Sequence, residues 1–319
     1  MNAELASTRG GPITTARPDT ASAVESRTPG RCLLCGTSDA PIVWTEDEYR
    51  HRQCSCGVLY LDPEPDLSKI DITRDHTGDG YYRLPARLRF EWLRQFVQTG
   101  SLLEVGFSRG HVLDLAREAG FEVTGVDPNP AAVAQARERG FDVELATIET
   151  SALPERSFDV VFHVDLLSHW PDPIAALVAM RRRLRPGGLV VFEVGVIGGL
   201  HPRWHRWWGS LLPPEHRTFF SEQAIGLVLE RAGLEMVGVK RFGLLASSTV
   251  LRARRLLEGR MDRLTRPWDP TGLPPITSGI AALYERVHMF ARYRVGARLP
   301  AHPAFGQLTV FVAAREQNP

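Results

Sequence analysis

The sequence predicts an α/β protein built on a doubly wound, mostly parallel sheet, and three observations predict it. From Ser101 onward, apolar strands alternate with amphipathic helices: strand, helix, Gly120; strand, helix, Gly140; then a strand at Val143 to Ala146. Two similar phrases, Ala116-Arg-Glu-Ala-Gly-Phe-Glu-Val and Ala136-Arg-Glu-Arg-Gly-Phe-Asp-Val, read as two helix-to-strand junctions of one architecture and not as a solenoid repeat. The punctuation agrees, with Asn129 as N-cap, Pro130 at the first helical position and a glycine just past each helix.

The elements follow in order. Residues 1–29 are rich in Ala, Ser, Thr, Arg and Pro and lack hydrophobic periodicity, so they are expected to be a disordered tail. All four cysteines then fall within residues 30–64, as Cys32-Leu-Leu-Cys35-Gly36 and Cys54-Ser-Cys56-Gly57. Two close thiol pairs about twenty residues apart, in a reducing compartment, read as the ligands of a structural zinc ion. Each following glycine suits the tight turn of a zinc knuckle. The C-x-C spacing of the second pair leaves open whether His51 replaces one sulfur, and four unliganded thiols are the alternative.

Residues 65–84 read as a polar linker ending at Tyr81-Tyr82, before a helix from about Pro85 to Gln98 with an apolar stripe of Leu88, Trp92, Leu93 and Phe96. Leu102 to Pro130 then runs strand, glycine-bearing turn, helix, Gly120, strand and a terminal acid. Such a unit seats a nucleoside-type ligand over the strands' carboxyl ends, with the terminal carboxylate, Asp127, on the ribose hydroxyls. A dinucleotide site would read G-x-G-x-x-G. Here Glu104, Gly106, Ser108 and Gly110 place an acid and then small residues at every second position.

That order resembles motif I of the class I S-adenosylmethionine (SAM)-dependent methyltransferases, E/D-x-G-x-G-x-G, with Ser108 at the middle glycine. Two later stretches are similar to the same family: Leu153-Pro through Ser157-Phe-Asp-Val-Val to Asp165-Leu-Leu-Ser-His169-Trp-Pro-Asp-Pro173, and Leu184-Arg-Pro186-Gly-Gly188 leading into a strand ending at Glu193. The resemblance implies a Rossmann-like, seven-stranded, mostly parallel sheet with helices on both faces. Its last strand, at Gln307 to Arg315, would insert antiparallel beside Glu235 to Phe242. It implies SAM as cofactor, with Glu104, Gly106, Ser108 and Gly110 near the methionine part and Asp127 on the ribose; Pro128, Thr147, Ile148 and His163 complete the cofactor-binding set. Several bacterial methyltransferases also carry a small N-terminal zinc-ribbon module, which Cys56-Gly-Val-Leu-Tyr60-Leu-Asp-Pro63 resembles. Residues 85–319 would then form the methyltransferase domain, with cap insertions at 198–222 and 250–300.

The acceptor side is less regular. His201 to Trp208 interleaves three tryptophans with arginine and histidine, which suits a lid that stacks on a planar or apolar substrate; plugging the domain edge is the plainer reading. Glu215-His216 through Phe220-Ser221 resembles the E-H-x-x-x-F-S segment that precedes a helix over the active site in small-molecule methyltransferases. His169 and His216 are the candidate bases and Asp165 the candidate orienting carboxylate, whereas Ser168 stands where the related motif is often acidic. Residues 252–298 are Arg-rich; a solvated helix face is the usual explanation, and a cap, a dimer surface or a basic helix drawn to anionic lipid are the others.

Composition limits the rest. With 43% hydrophobic and 24% charged residues, the chain can bury one large core and a small appendage. A net charge of +1 argues against nucleic acid as a whole-protein partner. No apolar run is long enough to span a membrane and no signal core opens the chain, so a cytoplasmic protein is expected. The expected function is methyl transfer to a small-molecule acceptor (a natural product, sugar or lipid-like compound), as in-line O-methylation. An inactive SAM-binding module and an RNA or protein methyltransferase are the alternatives.

Overall fold

The computed structural model describes residues 28–66, 68, 70, 80–199, 201, 211, 213–242, 287, 290, 295 and 308–317. Three short strands come first, β1 (Ile42–Glu46), β2 (Tyr49–Gln53) and β3 (Val58–Asp62), paired as an antiparallel meander. Helix α1 (Gly80–Leu93) leads into the alternating unit: β4 (Ser101–Val105), α2 (His111–Glu118), β5 (Glu122–Asp127), α3 (Pro130–Glu138) and β6 (Asp142–Leu145). Then follow β7 (Phe158–Val164), α4 (Pro173–Arg183), β8 (Leu184–Val196), β9 (Thr218–Phe220), α5 (Glu222–Arg231), β10 (Leu234–Phe242) and β11 (Leu308–Glu316).

The expected seven strands lie in the order β6-β5-β4-β7-β8-β11-β10. The first five are parallel, and β11 runs antiparallel between β8 and β10. All five residues of β4 are buried, as a central parallel strand covered on both faces requires. Alternate side chains of β4 serve the two faces: Leu102 packs with Phe90, Leu93 and Val112 of α1 and α2, and Leu103 with Leu177 and Met180 of α4 and Val228 of α5. The chain turns one way from β4 into β5 and the other way into β7, so a crevice opens at the carboxyl ends of β4 and β7.

The sheet does not stop at seven strands. β3 pairs antiparallel with β9, and β9 meets β8 at Phe220 and Val196, so the meander and β9 extend one continuous sheet to eleven strands. Cys32, Leu34, Cys54, Val58 and Tyr60 belong to the same buried cluster as Phe192, Phe220 and Ile225. The cysteine-bearing segment and the main domain therefore share a core.

Local details refine the sequence reading. Helix α1 starts and ends five residues earlier than its expected span; at its end, i→i+3 bonds from Gln95 and Phe96 to Trp92 and Leu93 tighten the last turn. Phe96 falls beyond the helix, 37% exposed, with its ring edge-on to Trp92 at 4.9 Å. Residues 185–188 bulge out of β8, because Phe158 faces Leu184 while Val160 already faces Leu189, and Gly187 takes φ 82° there. Thr28 and Gly30 are tied to β3 and its exit, through Glu64 N–H to Thr28 O at 2.9 Å and Gly30 N–H to Asp62 Oδ1 at 3.2 Å. The tail expected at residues 1–29 otherwise lies outside the described residues, as does most of the linker at 65–84.

Candidate cofactor and acceptor site

The glycine-bearing turn after β4 is built from backbone donors around one carboxylate. Asp127 ends β5 buried; its Oδ2 accepts from Ser108 N–H at 2.8 Å and its Oδ1 from Asn129 N–H at 2.8 Å. Burial raises its pKa above the usual carboxylate range although both N–H groups pull the other way. Each oxygen keeps a second lone pair, which is what a ribose diol needs. Ser108 sits at φ 49°, in the left-handed region that the family's glycine would occupy freely. Gly106, at φ 65°, favours glycine by its backbone, and a Cβ there would lie 2.6 Å from Leu166 Cδ1, so the leucine would have to move. That contact brings the glycine turn against the loop that follows β7.

Glu104 is buried one residue before the end of β4, and its Oε2 has no hydrogen-bond partner among the described residues. Burial first, then the charges of Asp127 and Asp114, push its carboxyl well above the ordinary range. A buried, unsatisfied acceptor fits a ligand that brings a donor or a cation, as the ammonium of SAM does. Gly110 caps α2 at φ 68°. Ile148 is buried beyond β6, and Thr147 is exposed with its hydroxyl 3.1 Å from that of Thr150. Pro128 is half-buried at the exit of β5.

His163 lies within β7, fully buried, stacked on Phe192 at 4.9 Å and edge-on to Trp170 at 5.1 Å. Burial brings its pKa down to about 3, so the ring is neutral. Neither ring nitrogen has a hydrogen-bond partner among the described residues.

After β7 the structure brings His169 and His216 together, with ring centroids 4.3 Å apart. Ser168 Oγ lies 3.1 Å from His216 Nδ1, and Ser168 O accepts from Arg217 N–H at 2.8 Å. His216 also stacks on Phe219 at 5.7 Å. Asp165 follows β7 at φ 54°, exposed, with its N–H on Glu193 O at 2.8 Å. The sequence reading missed the part played by Ser168, which it noted only as a departure from an acidic motif position. It also missed Arg89, whose guanidinium clasps buried Glu193 through two bonds of 2.8 and 2.9 Å. Trp204, Trp207 and Trp208 lie outside the described residues, as does the Arg-rich stretch 252–298 apart from the exposed Val287, Phe290 and Val295.

The four cysteine sulfurs converge within 4.8 Å of one another, with Cys32 to Cys56 at 3.4 Å and Cys35 to Cys54 at 3.3 Å. Zinc–sulfur bonds of about 2.3 Å in a tetrahedron set sulfurs roughly 3.8 Å apart, within that range. His51 is not in the converging set. Burial pushes the Cys32 and Cys56 thiols up; at Cys54 burial is outweighed by hydrogen bonds from the Cys56 N–H and neighbouring thiols, which bring it down to about 7.

Comparison with known proteins decides the family. A methyltransferase-domain model matches residues 74–239, just over half of the chain. The chain belongs to the methyltransferase-domain family. Its domain is of the SAM-dependent kind. The ubiquinone biosynthesis O-methyltransferase of Pseudomonas entomophila (strain L48) is 38% identical over 115 residues, covering 33% of this chain and 50% of that protein. The protein of that name from Cereibacter sphaeroides (strain ATCC 17029 / ATH 2.4.9) is 28% identical over 185 residues, covering 53% and 71%. The chain thus spans about half the length of the Pseudomonas relative it matches. The crystal structure of MccD protein superposes on this methyltransferase domain with a TM-score of 0.50 at 11% identity, covering 72% of this chain and 96% of that one, a likeness of fold alone. Among the described residues, no helix is long and apolar enough to cross a membrane.

Proposed function

We propose that the protein transfers the methyl group of SAM to an oxygen of a small-molecule acceptor, a natural product, sugar or lipid-like compound. One observation carries the reading: Gly106 of the cofactor turn packs on Leu166, two residues before the Ser168, His169 and His216 cluster. When bound, SAM supplies a methyl group already activated on its sulfonium. Asp127 holds the ribose hydroxyls, and Glu104 accepts from the ammonium. Pro128, Thr147 and Ile148 line the exits of β5 and β6, and His163 braces β7 as a neutral ring. In the tautomer whose Nδ1–H donates to Ser168 Oγ, His216 Nε2 carries the lone pair that takes the acceptor's proton; His169 beside it and Asp165 orient the acceptor.

The test pairs calorimetry with product-mass screening of hydroxylated small molecules. Asp127→Ala should weaken SAM binding by about 1.5–3 kcal/mol. His216→Ala should retain SAM affinity and lose about 10²- to 10⁴-fold in turnover. SAM binding without transfer to any hydroxylated compound overturns the reading in favour of a binding module, and transfer to RNA or protein overturns the acceptor class.

We also infer that Cys32, Cys35, Cys54 and Cys56 hold one structural zinc ion. The convergence of the four sulfurs supports it, and four protein ligands leave no open position for chemistry. Metal analysis of protein purified without added zinc should find one zinc per chain, and four freely titrating thiols with no metal would exclude it.

A further inference from the structure

Phe220 closes two ladders at once. It faces Val58 of β3 and Val196 of β8, and its carbonyl accepts from Ile197 N–H at 3.1 Å and Gly198 N–H at 3.2 Å. The next residue, Ser221, donates its N–H to Gly57 O at 2.8 Å while its Oγ caps α5 through Ala224 N–H at 3.1 Å. No space remains along this seam. A Cβ on Gly57 would lie 2.0 Å from Ser221 Oγ, and one on Gly198 would lie 2.2 Å from Gly57 O.

Gly57 belongs to the turn that carries the second cysteine pair, and its N–H donates to Cys54 O at 3.0 Å. A few residues before the seam, Arg217 binds both sides: its carbonyl accepts from Leu61 N–H of β3 at 3.2 Å and its side chain reaches Glu64 at 3.1 Å, while its N–H holds Ser168 O. The path from thiols to His216 is therefore short and backbone-bonded, with Gly57 and Arg217 to Phe220 buried. Glu104 and Asp127 stand on β4 and β5, which β7 and β8 separate from this seam; Gly106, just after β4, meets the loop after β7 only at Leu166.

We propose that the four-cysteine module is the positioning wall of the acceptor side. The metal fixes the Cys54 to Gly57 turn, the turn fixes β9, and β9 fixes His216 against Ser168. Metal state then governs the acceptor side and leaves cofactor binding alone. The idea rests on reading His216 as an acceptor-side residue and on zinc at the four thiols.

Hydrogen exchange read by mass spectrometry, on the full chain before and after chelation with EDTA and 1,10-phenanthroline, tests it, alongside calorimetry with SAM. Chelation should speed exchange in residues 57–62 and 216–221 by about tenfold or more, leave 101–106 and 122–127 unchanged, and hold SAM affinity within about twofold. Gly198→Ala, whose Cβ would lie 2.2 Å from Gly57 O, wedges the seam from outside the cysteine turn; it should keep its zinc and show the same faster exchange at 216–221. The chelation arm stands even if that variant does not fold. Unchanged protection at 216–221 after chelation overturns the proposal, and so does loss of SAM binding together with opening of β4 and β5. Protein that carries no zinc as purified overturns it too. Failure to methylate any acceptor, with the exchange pattern as expected, would instead overturn the proposed function and leave the seam in place.

Discussion

Ser168 Oγ and His216 Nδ1 are 3.1 Å apart, which ties the loop after β7 to the segment entering β9 across 48 residues of chain. The bond selects a ring orientation for His216. Ser168→Ala should therefore lower turnover by about threefold to tenfold, the worth of one ordinary hydrogen bond, without changing SAM affinity. Steady-state kinetics on the identified acceptor checks it. An unchanged turnover would mean that stacking on Phe219 alone holds the ring.

Glu104 yields a stability prediction whose sign depends on pH. Its folded pKa is raised, so the folded protein binds the proton more tightly than the unfolded chain, and ionisation costs stability as pH climbs above the ordinary glutamate value of 4.5. Glu104→Gln should then stabilise SAM-free protein at pH 8 by about 1–3 kcal/mol, seen as a higher melting temperature, and the gain should shrink towards pH 4.5. The same variant should bind SAM more weakly. Melting curves at the two pH values, with and without SAM, read both effects.

Ser108 occupies a backbone conformation at φ 49° that costs a non-glycine residue about 1–2 kcal/mol. Glycine removes that strain but loses roughly 0.5–1 kcal/mol in chain entropy. Ser108→Gly is expected to be neutral or slightly stabilising, with SAM affinity intact because the Asp127 bond uses the backbone N–H. A branched side chain is worse off, and Ser108→Val should lower both stability and SAM affinity. Thermal unfolding and calorimetry of the pair settle it.

The Arg89–Glu193 pair, 13% and 6% exposed, is a buried bidentate contact between α1 and β8. Arg89→Ala strands a buried carboxylate and should cost about 3–5 kcal/mol. Adding Glu193→Leu should recover much of that loss. Denaturant unfolding of the single and double variants measures it.

Much of this architecture was legible because its signals are local. The strand, glycine turn and terminal acid of Leu102 to Asp127 lie within a few turns of chain, and period and punctuation suffice to order them. The paired cysteines announce themselves in the same way. What was not legible depends on partners distant in sequence: β3 against β9, Arg89 against Glu193, Ser168 against His216. No periodicity in Val58 to Asp62 reveals that its edge is taken by Thr218 to Phe220, because any strand offers the same donors and acceptors to any neighbour. The early start of α1 escaped for a different reason, since Pro85 near its N-terminal end removes only one backbone bond and does not stop the helix.

Strand β11 bears on the order in which the protein is made. It fills the slot between β8 and β10, yet it follows β10 by roughly 65 residues. While the ribosome is still translating that connection, β8 and β10 have emerged with facing edges that cannot pair with each other in the final register. During that interval the nascent chain presents two open strand edges, the kind that recruit chaperones or pair with a neighbouring chain. The time for which those edges stay open should therefore bear on the yield of correctly folded protein.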